Sequence, residues 1–443
     1  MTSASSVAEP TAAVGDHYLL VLGGLLLGYA VFGKLVAYLG IPPLFVGELV
    51  LFAGCLVAVR TGCLVAALAS TTSVLLFTAM AWVMLRTLPD APLYGFNALR
   101  DSVILMYGTF AFIVIALLLE NGRRVASALH YYSKFVAVFI PASPIMFALA
   151  YYPDGALRFV RPGEVAVHMA GATMFALAGF CRLSPLAIIA LVAGLLMSIS
   201  MSRGALLAYV VPVVLGTLLL GKARELIMVM VAGLLIVAAA YGIETAFTDS
   251  QIAQRNSVDR TLSVRQIVEN ATSIFSQSSN QTESTKTWRL DWWNIIINDT
   301  FFGPHFWTGR GFGLNLADAD GFWNGDNPDA PPLRSPHNAH MTMLARGGIP
   351  GIALWVAVVL SWFVTMANAL LTARRYKQPV WANMFLVVMC YVLAILINAS
   401  FDVALEGPMQ GVWYWCLIGF GIGSSMIYRA TLSPSAPQAT ESS

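Results

Sequence analysis

The sequence predicts an all-α integral membrane protein, and three observations carry that prediction. The 443-residue chain is 58% hydrophobic and only 11% charged, where a soluble domain is about a quarter charged. Its mean hydropathy is +0.72. Apolar runs of about 18–25 residues recur, long enough to cross a bilayer as helices, and they lack the roughly ten-residue alternation of an outer-membrane barrel.

About twelve such runs follow in order. They cover 18–39, 42–59, 63–85, 102–119, 135–151, 165–180, 185–201, 205–220 and 225–243, then 349–372, 381–399 and 408–428. The chain therefore divides into nine membrane helices within 18–244, a long loop domain at 245–340 and three further helices within 341–429. The Ser/Thr/Ala/Pro-rich head, 1–17, and the tail, 430–443, read as disordered ends. The head carries no Lys or Arg, which argues against a cleaved signal peptide. All five cysteines fall in or beside the spans, so no disulfide framework or Cys-based zinc site is expected in the loop.

Charge sets the orientation. With the N-terminus inside, the inner loops carry Arg60, Arg123, Arg124, Lys134, Arg182, Lys222, Arg224, Arg374, Arg375, Lys377 and Arg429. The short outer loops carry Arg86, Arg100, Arg158, Arg161 and Arg203. The positive-inside rule then puts both termini in the cytoplasm and the long loop outside, which in a bacterial inner membrane means the periplasm. The outer cations are nearly all Arg, with Lys286 the exception. Arg grips phosphate with a planar fork, whereas Lys is a point charge. Each outer arginine also has a plain reading as a snorkelling anchor or a partner of Asp90, Asp101, Asp154 or Glu164. As a set they suggest a surface for anionic, phosphorylated ligands.

The first part of the loop, 245–283, is polar and includes Arg265 in a stretch with amphipathic helical spacing. Then comes "STKTWRLDWWNIIINDTFFGPHFWTGRGFG" at 284–313. Ser284 or Thr285 can cap a helix, Arg289, Trp293 and Ile296 share a face, and Gly303–Pro304 end the run. The tryptophans suit either sugar stacking and the membrane interface or the loop's own core. The turn around Arg310 (Gly309, Gly311, Gly313) can offer backbone N–H groups to an anion. The run Asp318, Asp320, Asp326, Asp329 departs from a calcium loop, lacking its terminal Glu, and polar turn chemistry explains it as well. No metal and no cofactor is expected.

Ionisable groups within the spans are few: Lys34, Glu48 and His168. A pump or ion-coupled carrier needs more of them. The chemistry gathers instead at the outer face, in "SPHNAHMTMLARGGIPG" at 335–351. His337 has the residue type of a base near neutrality. Arg203, in "SMSRGALL", and Arg289 supply the elements of a phosphate clamp beside it. A capping or loop role is the plain alternative for His337, and His337 with His340 completes no zinc set.

These motifs resemble the O-antigen ligase/polymerase superfamily. His337–Asn338, nine residues and then Gly348-x-x-Gly351 is similar to its signature, and Ser202–Arg203–Gly204 to its upstream motif. Residues 287–313 resemble its segment of Arg, aromatic helix and glycine turn. The resemblance implies a GT-C-like glycosyltransferase that takes a glycan from undecaprenyl pyrophosphate. It implies inversion without a metal, onto a lipid A–core sugar hydroxyl. His337 is then the general base, and Arg203 and Arg289, with Arg310, bind the pyrophosphate. Asn338, His340, Arg346 and Arg265 support the site. Arg158, Arg161, Arg86 and Arg100 are candidates for acceptor phosphates. The spacing after His337–Asn338 and the many outer arginines favour a ligase. The alternatives are an O-antigen polymerase or a protein O-oligosaccharyltransferase. From another class come a lipid-linked glycan flippase or a non-catalytic glycolipid-binding protein, and a flippase needs a polar passage that the spans do not offer.

Overall fold

The computed structural model describes residues 10–42, 44–151, 158–228, 280–322 and 333–432, with positions 231, 235, 238, 239, 241 and 242. The main helices, with one short one in the loop, are α1 (Pro10–Phe32), α2 (Val46–Arg60), α3 (Thr71–Thr87), α4 (Phe96–Met106), α5 (Thr109–Glu120), α6 (Arg124–Tyr151) and α7 (Pro162–Leu177). They continue as α8 (Pro185–Met201), α9 (Arg203–Leu219), α10 (Asn280–Phe301), α11 (Leu316–Asp320), α12 (Ala339–Arg375), α13 (Pro379–Ala399) and α14 (Pro408–Leu432). A two-residue antiparallel hairpin, Gly40–Ile41 with Leu44–Phe45, joins the first two membrane helices.

Among the described residues, four helices are long and apolar enough to cross a membrane, or five if α4 and α5, bent by 41°, form one broken span. The apolar helices α3, α8 and α9 are shorter. The protein is thus a multi-pass, mostly helical membrane protein. Helices stand at eleven of the twelve expected runs, and nine of the nineteen residues of 225–243 lie outside the described residues. The amphipathic stretch with Arg265 lies outside them too, as do Asp326 and Asp329.

α13 is the axis of the bundle, with 67% of its apolar window buried. It packs on α7, α9, α12 and α14, while α14 also packs on α5. Apolar burial does not drive helices together within lipid, so close backbone approach matters more. Gly419 permits it: a Cβ there would lie 2.7 Å from Ala111 Cα of α5. α6 runs through Pro141 and Pro144 without ending, as spans often do when neighbours stabilise the freed backbone groups.

Three boundaries differ from expectation. α1 begins at Pro10, inside the stretch read as disordered, and Asp16 is tied to Arg124 of α6 at 2.7 Å. α10 is already helical at Asn280, so Ser284 and Thr285 are not its caps. α12 starts ten residues before the predicted span, at Ala339. Gly348 breaks it, with φ 65° and ψ −166°. There the turn 306–311 lies against α12 backbone to backbone. Ile349 N–H donates to Phe306 O at 2.8 Å, and Arg310 N–H to Ala345 O at 2.7 Å. A Cβ at Gly348 would sit 2.7 Å from Phe306 O, so both the conformation and the contact require glycine. The carbonyl of Gly347 is taken by Trp82 Nε1 at 3.0 Å.

A second, smaller apolar cluster joins α10 and α11 to the start of α12. Trp292 and Ile296 of α10 are fully buried against Leu316, Ala317, Leu344 and Ala345. For Trp292 the core reading holds. The buried face runs through Trp292 and Ile296, so Ile296 of the expected Arg289, Trp293 and Ile296 face is in the core while Trp293 is only half-buried.

Candidate active site

His337 sits in a segment fixed on several sides. Its own φ is +53°, the left-handed region that few non-glycine residues adopt. Asn338 follows as the N-cap of α12, its Oδ1 accepting from the N–H groups of His340 (2.9 Å) and Met341 (3.2 Å). Trp293 Nε1 donates to Pro336 O at 3.0 Å. One turn into α12, Thr342 donates to Glu406 Oε1 at 2.8 Å. The backbone is therefore held while the His337 ring stays 30% exposed. Trp288 of α10 meets that ring edge-on, with centroids 6.1 Å apart at 89°.

Asp402 is the residue that sequence reasoning missed. It lies in the short connection between α13 and α14. Its Oδ1 stands 3.8 Å from His337 Nδ1 and 3.5 Å from Arg161 Nη1, and it accepts from Val403 N–H at 2.8 Å. At 3.8 Å Asp402 is an electrostatic partner of His337 rather than a hydrogen-bond acceptor. Burial pushes the His337 pKa below its usual 6.5; Asp402 opposes that shift, while Arg289 and Arg161 add to it. The imidazole is therefore neutral at neutral pH and able to take a proton. The only sequence signal was an acid in a short connection otherwise free of charge except for Glu406.

Two further arginines reach this neighbourhood. Arg203 is the first residue of α9, whose N-cap Ser202 accepts from Ala205 N–H at 3.3 Å. The next residue, Gly204, abuts the Asp402 turn: a Cβ there would lie 3.2 Å from Phe401 Cβ. Arg289 lies on α10 with its guanidinium carbon 5.4 Å from the Trp288 ring centroid. Lys34, Arg158 and the buried Glu164 surround Arg161 electrostatically. The structure thus brings His337, Arg161 and Arg289 together around Asp402, with the start of α9, which carries Arg203, against the Asp402 turn.

Other expected residues stand elsewhere. Arg310 donates to Asp299 at 2.7 Å and to Asp320 at 2.5 Å, with its side chain 8% exposed. Its fork is filled by protein carboxylates. Arg346 is buried, paired with Asp101 at 2.9 Å and donating to Leu314 O at 3.1 Å. Arg100 pairs loosely with Asp101 at 3.4 Å, and Arg86 Nε donates to Thr308 O at 2.8 Å. Arg158 is exposed, its N–H on Ala150 O at 3.2 Å. The glycine turn does bind anions, but they are the protein's own. Phe312 N–H donates to Asp90 at 2.9 Å and Gly313 N–H to Asp101 at 3.2 Å. Asp318 accepts from Asn315 Nδ2 at 2.6 Å, and Asp320 also from Trp292 Nε1 at 2.7 Å.

His340 is engaged inside the bundle. Trp355 Nε1, a donor only, gives its proton to His340 Nδ1 at 3.0 Å. The ring proton is then on Nε2, which donates to Ser400 Oγ at 3.2 Å, and Ser400 passes a bond to Leu396 O at 2.9 Å. This chain ties α12 to the end of α13, two residues before Asp402.

Residues 186–356 match the family model described as O-antigen ligase. The matched stretch contains Arg203, Arg289 and His337, whereas Arg161 and Asp402 lie outside it. No curated protein matches the chain at a significant level.

Proposed function

We propose that this chain, whose residues 186–356 match the family model described as O-antigen ligase, is a glycosyltransferase-type enzyme of that superfamily and, within it, an O-antigen ligase. It transfers a glycan from undecaprenyl pyrophosphate to a sugar hydroxyl of lipid A–core. The reaction runs at the periplasmic face of a bacterial inner membrane, with both termini cytoplasmic. The observation that carries this reading is the site itself: a neutral imidazole beside a carboxylate, with Arg161 and Arg289 acting on it and the start of α9, which carries Arg203, against the Asp402 turn.

The step is a single displacement. The acceptor hydroxyl oxygen attacks the anomeric carbon from the face opposite the pyrophosphate. Its proton passes to His337, through Nε2 because Nδ1 faces Asp402. The C1–O bond breaks, and its electron pair leaves with undecaprenyl pyrophosphate, inverting the anomeric centre. Asp402 stabilises the imidazolium that forms. Arg203 and Arg289 hold the pyrophosphate as its charge grows, the work that fixed cations do best in a site shielded from water. Arg161, already partly committed to Asp402, sets the position of that carboxylate. Arg310 and Arg346 act through structure, holding the loop domain on α12.

Deletion of the gene followed by a gel of the envelope polysaccharide tests the assignment. A ligase defect leaves bare lipid A–core with accumulated lipid-linked polymer. Core carrying a single repeat instead would make the protein a polymerase, and unchanged lipopolysaccharide would overturn both.

A further inference from the structure

A cavity of about 350 Å³ opens on the flank of the bundle, far from His337. Leu26 of α1, Phe135 of α6, Tyr391 of α13 and Trp413 of α14 contribute to its walls. The far end is defined by connectivity. α6 reaches the site end at Tyr151, whose hydroxyl donates to Val160 O at 3.2 Å, next to Arg161. Its start, at Arg124, is therefore at the other end, beside Asp16 of α1. The rim residues Leu20 and Val138 are 50% and 49% exposed, so the mouth is open and apolar.

Two cations line this cavity, Arg124 and Lys134. Arg124 is committed, held by Asp16 (2.7 Å), Glu120 (2.5 Å) and Leu117 O (2.7 Å). Lys134 is exposed, its Nζ 5.9 Å from the Tyr131 ring centroid. Just before α6 and along its first turns the exposed polar residues are Arg123, Ser127, His130 and Lys134, with Ala126 and Tyr131 exposed beside them. Beyond Lys134 the exposed residues are apolar, Ala137, Val138, Ile145 and Leu149 among them. The change marks the boundary between headgroups and hydrocarbon on this helix, with Lys134 at the boundary. An apolar cavity entered beside an exposed cation at that depth suits an amphiphile with an anionic head.

We propose that this cavity binds one acyl chain of an anionic glycerophospholipid, with the headgroup phosphate at Lys134. At about 350 Å³ the cavity is at the small end of ligand pockets, roughly 300–1,000 Å³, which suits a single chain. Such a lipid packs α1 against α13 and α14 at the end of the bundle opposite the candidate active site, so it is distinct from the glycan donor.

The test uses the full chain in nanodiscs of phosphatidylethanolamine and phosphatidylglycerol in equal parts, with retained lipid read by native mass spectrometry. One phosphatidylglycerol per chain is expected. Gly24→Phe should fill the cavity and lose it; a Cβ at Gly24 meets nothing within 4 Å, and the same holds for Gly23→Leu, the second variant. Lys134→Ala should keep a lipid but reduce the preference for phosphatidylglycerol about fivefold, the worth of one cation near a membrane surface. A filled-cavity variant that melts like the wild type yet keeps its lipid would overturn the site. Unchanged headgroup preference in Lys134→Ala would overturn the phosphate contact. A polyprenyl phosphate retained in place of phospholipid would overturn the ligand class.

Discussion

Asp402 Oδ1 lies 3.8 Å from His337 Nδ1, across the junction of two segments distant in sequence. The relationship does two things to the imidazole. It turns Nδ1 toward the carboxylate, leaving Nε2 for the acceptor, and it supports the charge that follows proton transfer. His340, three residues on, has both ring nitrogens engaged, by Trp355 and Ser400. The two histidines should therefore part company on mutation. His337→Ala should lower transfer by about 10²–10⁴, the usual loss of a general base, with unchanged thermal stability. His340→Ala should retain measurable turnover but melt earlier. Purified transfer assays and melting curves on both variants check this, and equal, near-normal activity would sink the assignment of His337.

The pH profile separates Asp402 from the arginines by sign. Burial lowers the His337 pKa below 6.5, so kcat/KM should fall on the acid side as pH drops through that lowered value. Asp402 raises the His337 pKa; Asp402→Asn should move the acid limb to lower pH while reducing the plateau. Arg289 lowers it; Arg289→Met should move the limb upward. Profiles of kcat/KM for the three proteins decide, and shifts in the same direction would refute the electrostatic account.

The site was partly legible in the sequence, for a physical reason. His337, Asn338 and Arg203 sit where the chain leaves a span, so local pattern exposes them. Asp402 meets His337 only after α12 and α13 have packed, and a lone Asp between two spans carries no pattern of its own. Arg310 was misread for the converse reason. The glycine turn was correctly seen as an anion nest, but its anions, Asp90 and Asp101, come from beyond α3 and from α4. Apolar length alone marked eleven helices, of which four, or five with the bent pair α4–α5, are long and apolar enough to cross a membrane among the described residues. The start of α10 was not, because its first turns are polar and their neighbours in space cannot be read locally.

A geometric clamp makes a demand that net charge does not. If Arg203 and Arg289 hold the pyrophosphate through paired N–H groups, Arg203→Lys should fail nearly as badly as Arg203→Ala, and likewise at Arg289. Full activity of both Lys variants in a purified assay would reduce the clamp to a positive potential.

Arg346 belongs to structure rather than to substrate. Its side chain is 2% exposed, its partner Asp101 10%, and Asp101 also pairs with Arg334 at 3.1 Å. Removing one member of a buried pair leaves the other uncompensated, which costs about 3–5 kcal/mol. Arg346→Met should therefore lower the melting temperature clearly. The matching loss from Asp101→Asn should be smaller than additive in the double variant, because both changes break one network. Strict additivity in the melting measurements would place the two residues in separate networks.

The aspartates of the loop decide between a cation site and a scaffold. Asp320 is 4% exposed and accepts from both Arg310 and Trp292, while Asp318 is exposed and accepts from Asn315. As scaffold, Asp320→Asn should cost about 1–3 kcal/mol, since it weakens two buried hydrogen bonds, and Asp318→Asn far less. Transfer by the Asp320 variant should return to near wild-type rate at temperatures where it is folded. Excess chelator should leave the wild-type rate unchanged. Lipopolysaccharide itself binds divalent ions, so the assay needs donor and acceptor dispersed in detergent, where chelation cannot aggregate or disperse the acceptor. Under those conditions, complete loss of transfer on chelation, restored by calcium or magnesium, would move these carboxylates from the scaffold into the reaction and would replace the arginine clamp with a metal-assisted departure of pyrophosphate.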